Sequence, residues 1–387
     1  MKNGRLKVLL VPSNYWSGIG SMARHLASSV KGVDYYFFTS AAIKNHPKEF
    51  MRLVSSVDIV HWLANLSTVK LPPEIDIRKF PAPNIATVHH VDEEVIGYRE
   101  KEEATKISAA SISNVIQVVS AEWLNYVQSR TKTPVFLAHQ AIDPSEFARN
   151  RNKKRPRNPF IIGTFGNAKE FKDRKRVDVL LGALSILKGR NYDFELIVQG
   201  QYWNELQNPF IQQNIKVKNL GFLSNKKAQQ SYRFIDLYVC SSDVEGGPLP
   251  VLESLASGVP VVSTRVGVAI EALSLGGGIL VNKGSPKDLA NAIGLIMDDS
   301  SLYRRLSQET IQVAENYSWK KLGSEYLTMY QYALSTKEPM AVKKPLLEFP
   351  RIQREMQMSM QNIRESYFTK LIFRTKHLFG ETCRKIH

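Results

Sequence analysis

Apolar positions along the chain follow two rhythms. Short β-branched or aromatic runs recur at 6–11, 35–39, 57–62, 85–88, 115–119 and 135–138. After a basic, proline-containing stretch at 149–159 they recur at 160–165, 194–199, 216–220, 237–240, 259–263 and 278–281. Runs this short read as buried strands, and the spacing between them leaves room for a helix each time, so the pattern predicts parallel sheets with helical crossovers. Two of the intervening segments show the helical period. Val179, Leu180, Ala183, Leu184 and Leu187 line one face of 177–188, and Pro286 suits the first turn of a helix over 286–297.

The restart of the pattern divides the chain. Residues 1–148 are expected to form a first Rossmann-like domain, 149–158 a basic linker, 159–335 a second Rossmann-like domain, and 336–387 a tail. In the tail Ile352, Met356, Met360, Ile363, Tyr367 and Leu371 fall three or four residues apart, a helical stripe. That stripe fits packing on the protein's own surface as well as docking on a membrane or partner; basic and aromatic residues interleaved over 368–379 favour an interface.

Composition supports two cores. At 387 residues and 43% hydrophobic the chain exceeds what one core organises. The net charge of +16 would suggest nucleic acid or anionic lipid, but it is localised. Residues 149–157 carry six basic side chains and no acid, and 336–387 carry eleven basic against five acidic, leaving the two α/β regions near balance. An anionic membrane surface is therefore a candidate partner, and a general nucleic-acid-coating surface is disfavoured. Cys240 and Cys383 are too few and too distant for a disulfide framework or zinc site and read as free thiols. No run of eighteen apolar residues and no cleavable leader pattern occurs, so the expected location is cytoplasmic, with peripheral attachment to the inner face of a membrane as the variant.

Three motifs fall where strands end, the place where open parallel sheets bind ligands. Ser17-Gly18-Ile19-Gly20-Ser21 follows the first strand and opens a helix expected over 22–30. Glycines there let amides approach a phosphate, although a tight strand-to-helix turn would need them equally. His89-His90 follows the fourth strand, with Asp92, Glu93 and Glu94 behind. His89 can bond a substrate hydroxyl or stand as a surface residue, and His61 has the same two readings. The third motif runs from Ser241 to Val262 and reads strand, glycine loop, helix, turn, strand, with Glu245 and Glu253 separated by seven residues that begin Gly246-Gly247-Pro248-Leu249.

This third motif resembles the signature of the GT-B fold retaining glycosyltransferases of family 4. Similar matches to the family run through Val57 to His61, Thr87 to His89, Val118 to Ser120, Ala141 to Asp143 with Phe147, Gly267 to Glu271, Gly278 to Val281 and Tyr317 to Trp319. They cover roughly residues 6–334. The resemblance implies an α/β GT-B architecture of two doubly wound domains facing a central cleft. It also implies sugar transfer from a nucleotide diphosphate with retention of configuration. Carried over by residue, His89 supports the sugar near the reacting carbon, Glu245 orients it, and Lys175 neutralises the departing diphosphate. Glu253 takes the ribose hydroxyls, and Gly18, Gly20, Gly246, Gly247, Pro248 and Leu249 line the phosphates. Where the family has an arginine after the first glycine of its second domain, this chain has Gly166-Asn167; Lys169, Lys172 or Arg174 can replace it, and Lys172 competes with Lys175.

No Asp-x-Asp pair occurs, so no metal and no cofactor beyond the nucleotide-sugar donor are expected. UDP stands ahead of GDP, and the expected acceptor is a glycan or lipid-linked glycan of cell-surface polysaccharide assembly. Other readings remain open: a nucleotide-sugar epimerase, a catalytically degenerate nucleotide-sugar-binding scaffold, and a nucleic-acid-directed glycosyltransferase.

Overall fold

The computed structural model describes residues 5–15, 18–91, 106–147, 158–223 and 225–336. The basic run 149–157, the tail stripe from Ile352 to Leu371, Ser17, the acids Asp92, Glu93 and Glu94, and Cys383 lie outside the described residues.

Six strands, β1 (Leu6–Val11), β2 (Val33–Phe37), β3 (Ile59–Trp62), β4 (Asn84–Val88), β5 (Val115–Val118) and β6 (Val135–Leu137), form one sheet. Six more, β7 (Phe160–Phe165), β8 (Phe194–Gln199), β9 (Lys216–Asn219), β10 (Leu237–Cys240), β11 (Val261–Thr264) and β12 (Gly278–Val281), form another. The expected runs map onto these strands with shifts of one or two residues. Two of the largest have local causes: Ser40–Ile43 winds into a helix, so β2 ends at Phe37. Gly258, at φ 77°, turns the chain ahead of Pro260 and delays β11.

Every strand pair within each sheet is parallel. The first sheet is ordered β2-β1-β3-β4-β5-β6 and the second β12-β11-β10-β7-β8-β9. Read from β9, the second is the doubly wound order 3-2-1-4-5-6, which reverses between β7 and β10 and opens a crevice there. One of its faces is covered by the helices Val177–Gly189 and Pro286–Asp298, the other by Leu249–Ala256 and Val268–Ser274.

The helix Trp319–Ser335, drawn on sequence with the second domain, instead packs on the first sheet. Trp319, Tyr326, Met329, Tyr330 and Ala333 join its core beside Leu26 and Ile59. Polar contacts fix the docking. The fully buried His61 bonds Gln117 Oε1 (2.7 Å) and Tyr330 Oη (3.1 Å), while Tyr326 Oη donates to the His139 carbonyl (3.0 Å). His61 is thereby a core histidine. Burial holds it neutral by lowering its pKa to about 3, against the opposing Gln117 bond. Before this helix the chain recrosses at Ile142, whose amide and carbonyl bond Tyr317 and Trp319. Among the described residues no helix is long and apolar enough to cross a membrane.

Candidate active site

The crevice between β7 and β10 is framed by two loops, 166–176 and 241–248, which are laced together through backbone. Asp243 N–H donates to the Arg174 carbonyl (2.9 Å) and Ser241 Oγ to the Lys175 carbonyl (2.9 Å). Asp173 shapes the first loop, accepting from the amides of Lys169 (3.0 Å) and Lys175 (2.8 Å). Arg176 completes it in a left-handed conformation, φ 48°, uncommon for a residue with a side chain. Its guanidinium pairs with both Asp178 and Asp243. Nothing in the local sequence marked Asp173, Arg176 or Asp243, because their partners are set by loop geometry.

This frame presents two cations to one buried carboxylate. Lys175 Nζ lies 2.5 Å from Glu245 Oε1 and Arg174 Nη1 lies 2.7 Å from Oε2, while Ser242 Oγ donates to Oε1 (2.9 Å). Burial alone would raise the Glu245 pKa, but Lys175 and Arg174 outweigh it and hold the carboxyl well below the usual range. Lys175 and Arg174 are thus the basic residues of 169–175 that converge. Lys169 and Lys172 are exposed and are not partners of Glu245, so the expected competition from Lys172 is not what the loop delivers. Asn167, standing where the resemblance expects an arginine, accepts from the Gln201 amide (2.8 Å) and secures the neighbouring loop.

The first sheet supplies the facing wall. His89, at the end of β4, has both ring nitrogens engaged: Nε2–H donates to the Leu63 carbonyl (2.9 Å), so Nδ1 accepts from Gln140 Nε2 (3.2 Å). Burial lowers its pKa to about 4, which His90 reinforces and the Leu63 bond opposes. The imidazole is neutral and fixed, and its backbone carbonyl sits where any side chain on Gly246 would have to go. Gly247 faces the end of the Gln140 side chain, which can yield. Gly246 therefore serves close approach of the two walls, a use beyond the phosphate role expected of it.

Glu253 lies on the helix Leu249–Ala256, which is capped by Pro248; Pro250 has no N–H and the Val251 amide donates to the Pro248 carbonyl (2.8 Å). Burial pushes the Glu253 carboxyl above the usual range, against a hydrogen bond from Tyr232 Oη (2.7 Å) and with help from the nearby Glu146. Glu253, Leu249, Gly18, Ser21, His25 and Glu146 share a cavity of about 120 Å³ between the walls. Gly18 and Gly20 separate here. The helix starts at Gly18, earlier than expected, and a side chain at Gly18 would meet open space. A side chain at Gly20 would collide with the carbonyls of Asn14 and Tyr15. Gly20 is a packing glycine; Gly18 borders the cavity.

Residues 146–313 match the family model of the glycosyl transferases group 1. Over 245 residues the chain is 25% identical to an uncharacterised glycosyltransferase of Methanocaldococcus jannaschii, covering 63% of this chain and 66% of that protein. Over 105 residues it is 30% identical to the D-inositol 3-phosphate glycosyltransferase of Corynebacterium glutamicum, covering 27% of this chain and 25% of that one. The chain's matches thus span less than two thirds of either relative. Among solved structures it is similar to Anabaena HepE in complex with UDP and glucose, with a TM-score of 0.65, 14% identity and coverage of 84% of this chain and 100% of that one. The fold is that of the GT-B glycosyltransferases. Within that class the chain's similarity is to the glycosyl transferases group 1, over residues 146–313.

Proposed function

We propose that the chain is a retaining glycosyltransferase that moves a sugar from a nucleotide diphosphate, UDP ahead of GDP, to a glycan or lipid-linked acceptor. The observation that carries this reading is the Lys175–Glu245–Arg174 cluster in the crevice. A carboxylate holding two cations is a counter-ion that a diphosphate can replace. When the donor binds, its phosphates take over Lys175 and Arg174, and the released Glu245 oxygens turn to the sugar hydroxyls. As the donor bond breaks, the charge building on the diphosphate falls between the same two cations.

Glu253 receives the ribose hydroxyls, its raised pKa suiting a group that exchanges hydrogen bonds with neutral partners. His89, locked by Leu63 and Gln140, forms a rigid wall beside the reacting carbon. The Lys175 and Arg174 cations provide the neutralisation that a metal provides elsewhere, so turnover requires neither metal nor cofactor. UDP is favoured because HepE was crystallised with it. The acceptor assignment, in cell-surface polysaccharide assembly at the inner face of the membrane, rests on the resemblance and on the basic, amphipathic composition of 336–387.

The test is a panel of UDP-, GDP- and ADP-sugars incubated in chelator, reading nucleotide release and thermal protection for the native chain and for Glu253→Ala. One donor that protects and is slowly hydrolysed, with both effects lost in the variant, supports the reading. Protection without hydrolysis or transfer would instead make the chain a nucleotide-sugar-binding scaffold.

A further inference from the structure

The stretch Gly267 to Glu271, which resembles a family motif, takes no part in the reading above, yet it is bonded to the facing wall at both ends. Glu271 Oε1 accepts from the Ala121 amide (2.6 Å), and Oε2 lies 2.6 Å from His139 Nε2. In return Glu122 Oε2 accepts from the Gly267 amide (2.5 Å), and its Oε1 lies 3.3 Å from Lys283 Nζ. Each wall thus lends a carboxylate to the first amides of a helix on the other, Ala121–Gln128 and Val268–Ser274. Such amides lack partners within their own helix, so the exchange satisfies donors that would otherwise need water.

The same two segments grip the catalytic loop. Trp123 Nε1–H donates to the Glu245 carbonyl (2.8 Å), and the Val268 amide donates to the Gly246 carbonyl (2.9 Å). Gly267, at φ 46°, lies so close to the Gly246 carbonyl that only a glycine fits. Gly246 in turn abuts the His89 carbonyl. The loop carrying Glu245 is therefore held from one side by the helix that carries Glu122 and from the other by the turn that Glu122 binds.

We infer that Glu122 and Glu271 are positioning residues whose exchange across the cleft completes the Glu245–Gly247 loop only when the walls meet, making closure and site assembly one event. The inference rests on the proposed transfer reading. Glu122 and Glu271 side chains are 22% and 23% exposed, so water can replace the exchanged contacts when the walls part. That degree of exposure suits a latch that opens in each cycle better than a permanent seam. Lys175, Arg174 and Glu253 all stand on the second wall, so the diphosphate and ribose contacts, which carry most of the donor's affinity, do not depend on the latch.

The test uses the full chain carrying Glu122→Gln, Glu271→Gln and both together. Donor affinity is measured by calorimetry, and kcat by nucleotide release. Each single variant is expected to lower kcat about 10-fold or more while donor Kd stays within about threefold. The double variant should be little worse than the weaker single, because the two residues act as one unit. Spin labels at Lys48→Cys and Leu295→Cys, with Cys383→Ser, report the separation of the walls without any donor; the same variants should lengthen or broaden that distance. Should Glu271→Gln fail to fold, Glu271→Asp, which keeps the charge and shortens the reach, takes its place. Unchanged distances, multiplying effects, or a kcat loss matched by lost donor binding would overturn the inference. A native chain that binds no donor, with distances still responding, would sink the transfer reading and leave the latch standing.

Discussion

Glu245 is a buried acid whose ionisation is held by its neighbours, and the balance between them makes Lys175 the side chain to test first. Removing Lys175 leaves Glu245 ion-paired with Arg174 and bonded by Ser242, and takes one of two cations from the departing diphosphate. Lys175→Ala should lower kcat by about 10²-fold, the scale for losing one stabiliser of developing charge, with a smaller effect on donor binding. Lys172→Ala, at an exposed position outside the cluster, should stay within about twofold of the native rate. Comparable losses in the two variants would mean the loop rearranges on donor binding. The two lysines were hard to separate on sequence because both follow the same glycine-ended strand. What distinguishes them is Asp173, whose carboxylate fixes the backbone at Lys175 and turns the loop so that residues 174 and 175 face inward.

The elements were far more legible than their contacts. Strands such as β7 and β10 could be read to the residue, because a fully buried parallel strand is a nearly continuous apolar run flanked by turns. The site's acids were legible because Glu245 and Glu253 belong to one loop-helix unit. Residues that act across the cleft were not: Glu122, Trp123, Gln140 and Glu271 meet partners more than a hundred residues away, or in Gln140's case fifty-one away. The glycine motif at the head of the first helix shows the limit well, since its two glycines looked alike in the sequence. Gly20→Ala would drive a methyl into backbone carbonyls that cannot yield, so it should destabilise the chain by about 1–3 kcal/mol, measured by denaturant unfolding. Gly18→Ala has open space and a helical position, so folding should be unaffected, while the methyl narrows the cavity that reaches Glu253. Donor or acceptor KM should rise without a change in unfolding midpoint; a loss of stability at Gly18 equal to that at Gly20 would remove the distinction.

At the scale of the molecule the walls are joined by a titratable clamp. His139 Nδ1 lies 3.0 Å from Glu325 on the helix docked to the first sheet, and Nε2 reaches Glu271 on the second. Tyr317 stands edge-on to the ring. Burial would favour the neutral ring, but the two carboxylates prevail and raise the His139 pKa to about 9 from an ordinary 6.5. A histidine whose pKa is raised by folding contributes stability fully at pH below about 6.5 and loses it as pH climbs through about 9. With the side chain 11% exposed, the contribution is about 3 kcal/mol, shared between wall contact and fold. His61 and His89 run the other way. Their pKa values fall to about 3 and about 4 on folding, so their contribution is whole above about 6.5 and declines as pH drops toward those values. The melting temperature should therefore peak near neutrality and fall on both sides. His139→Gln, which cannot titrate, should melt lower than the native chain at pH 6.5, keep the acid limb, and stay nearly flat from pH 6.5 to 9, where the native curve drops to meet it. A native curve that stays level through pH 9 would show that the clamp is too solvated to bear charge, and a variant that still falls in that window would place the titrating group elsewhere.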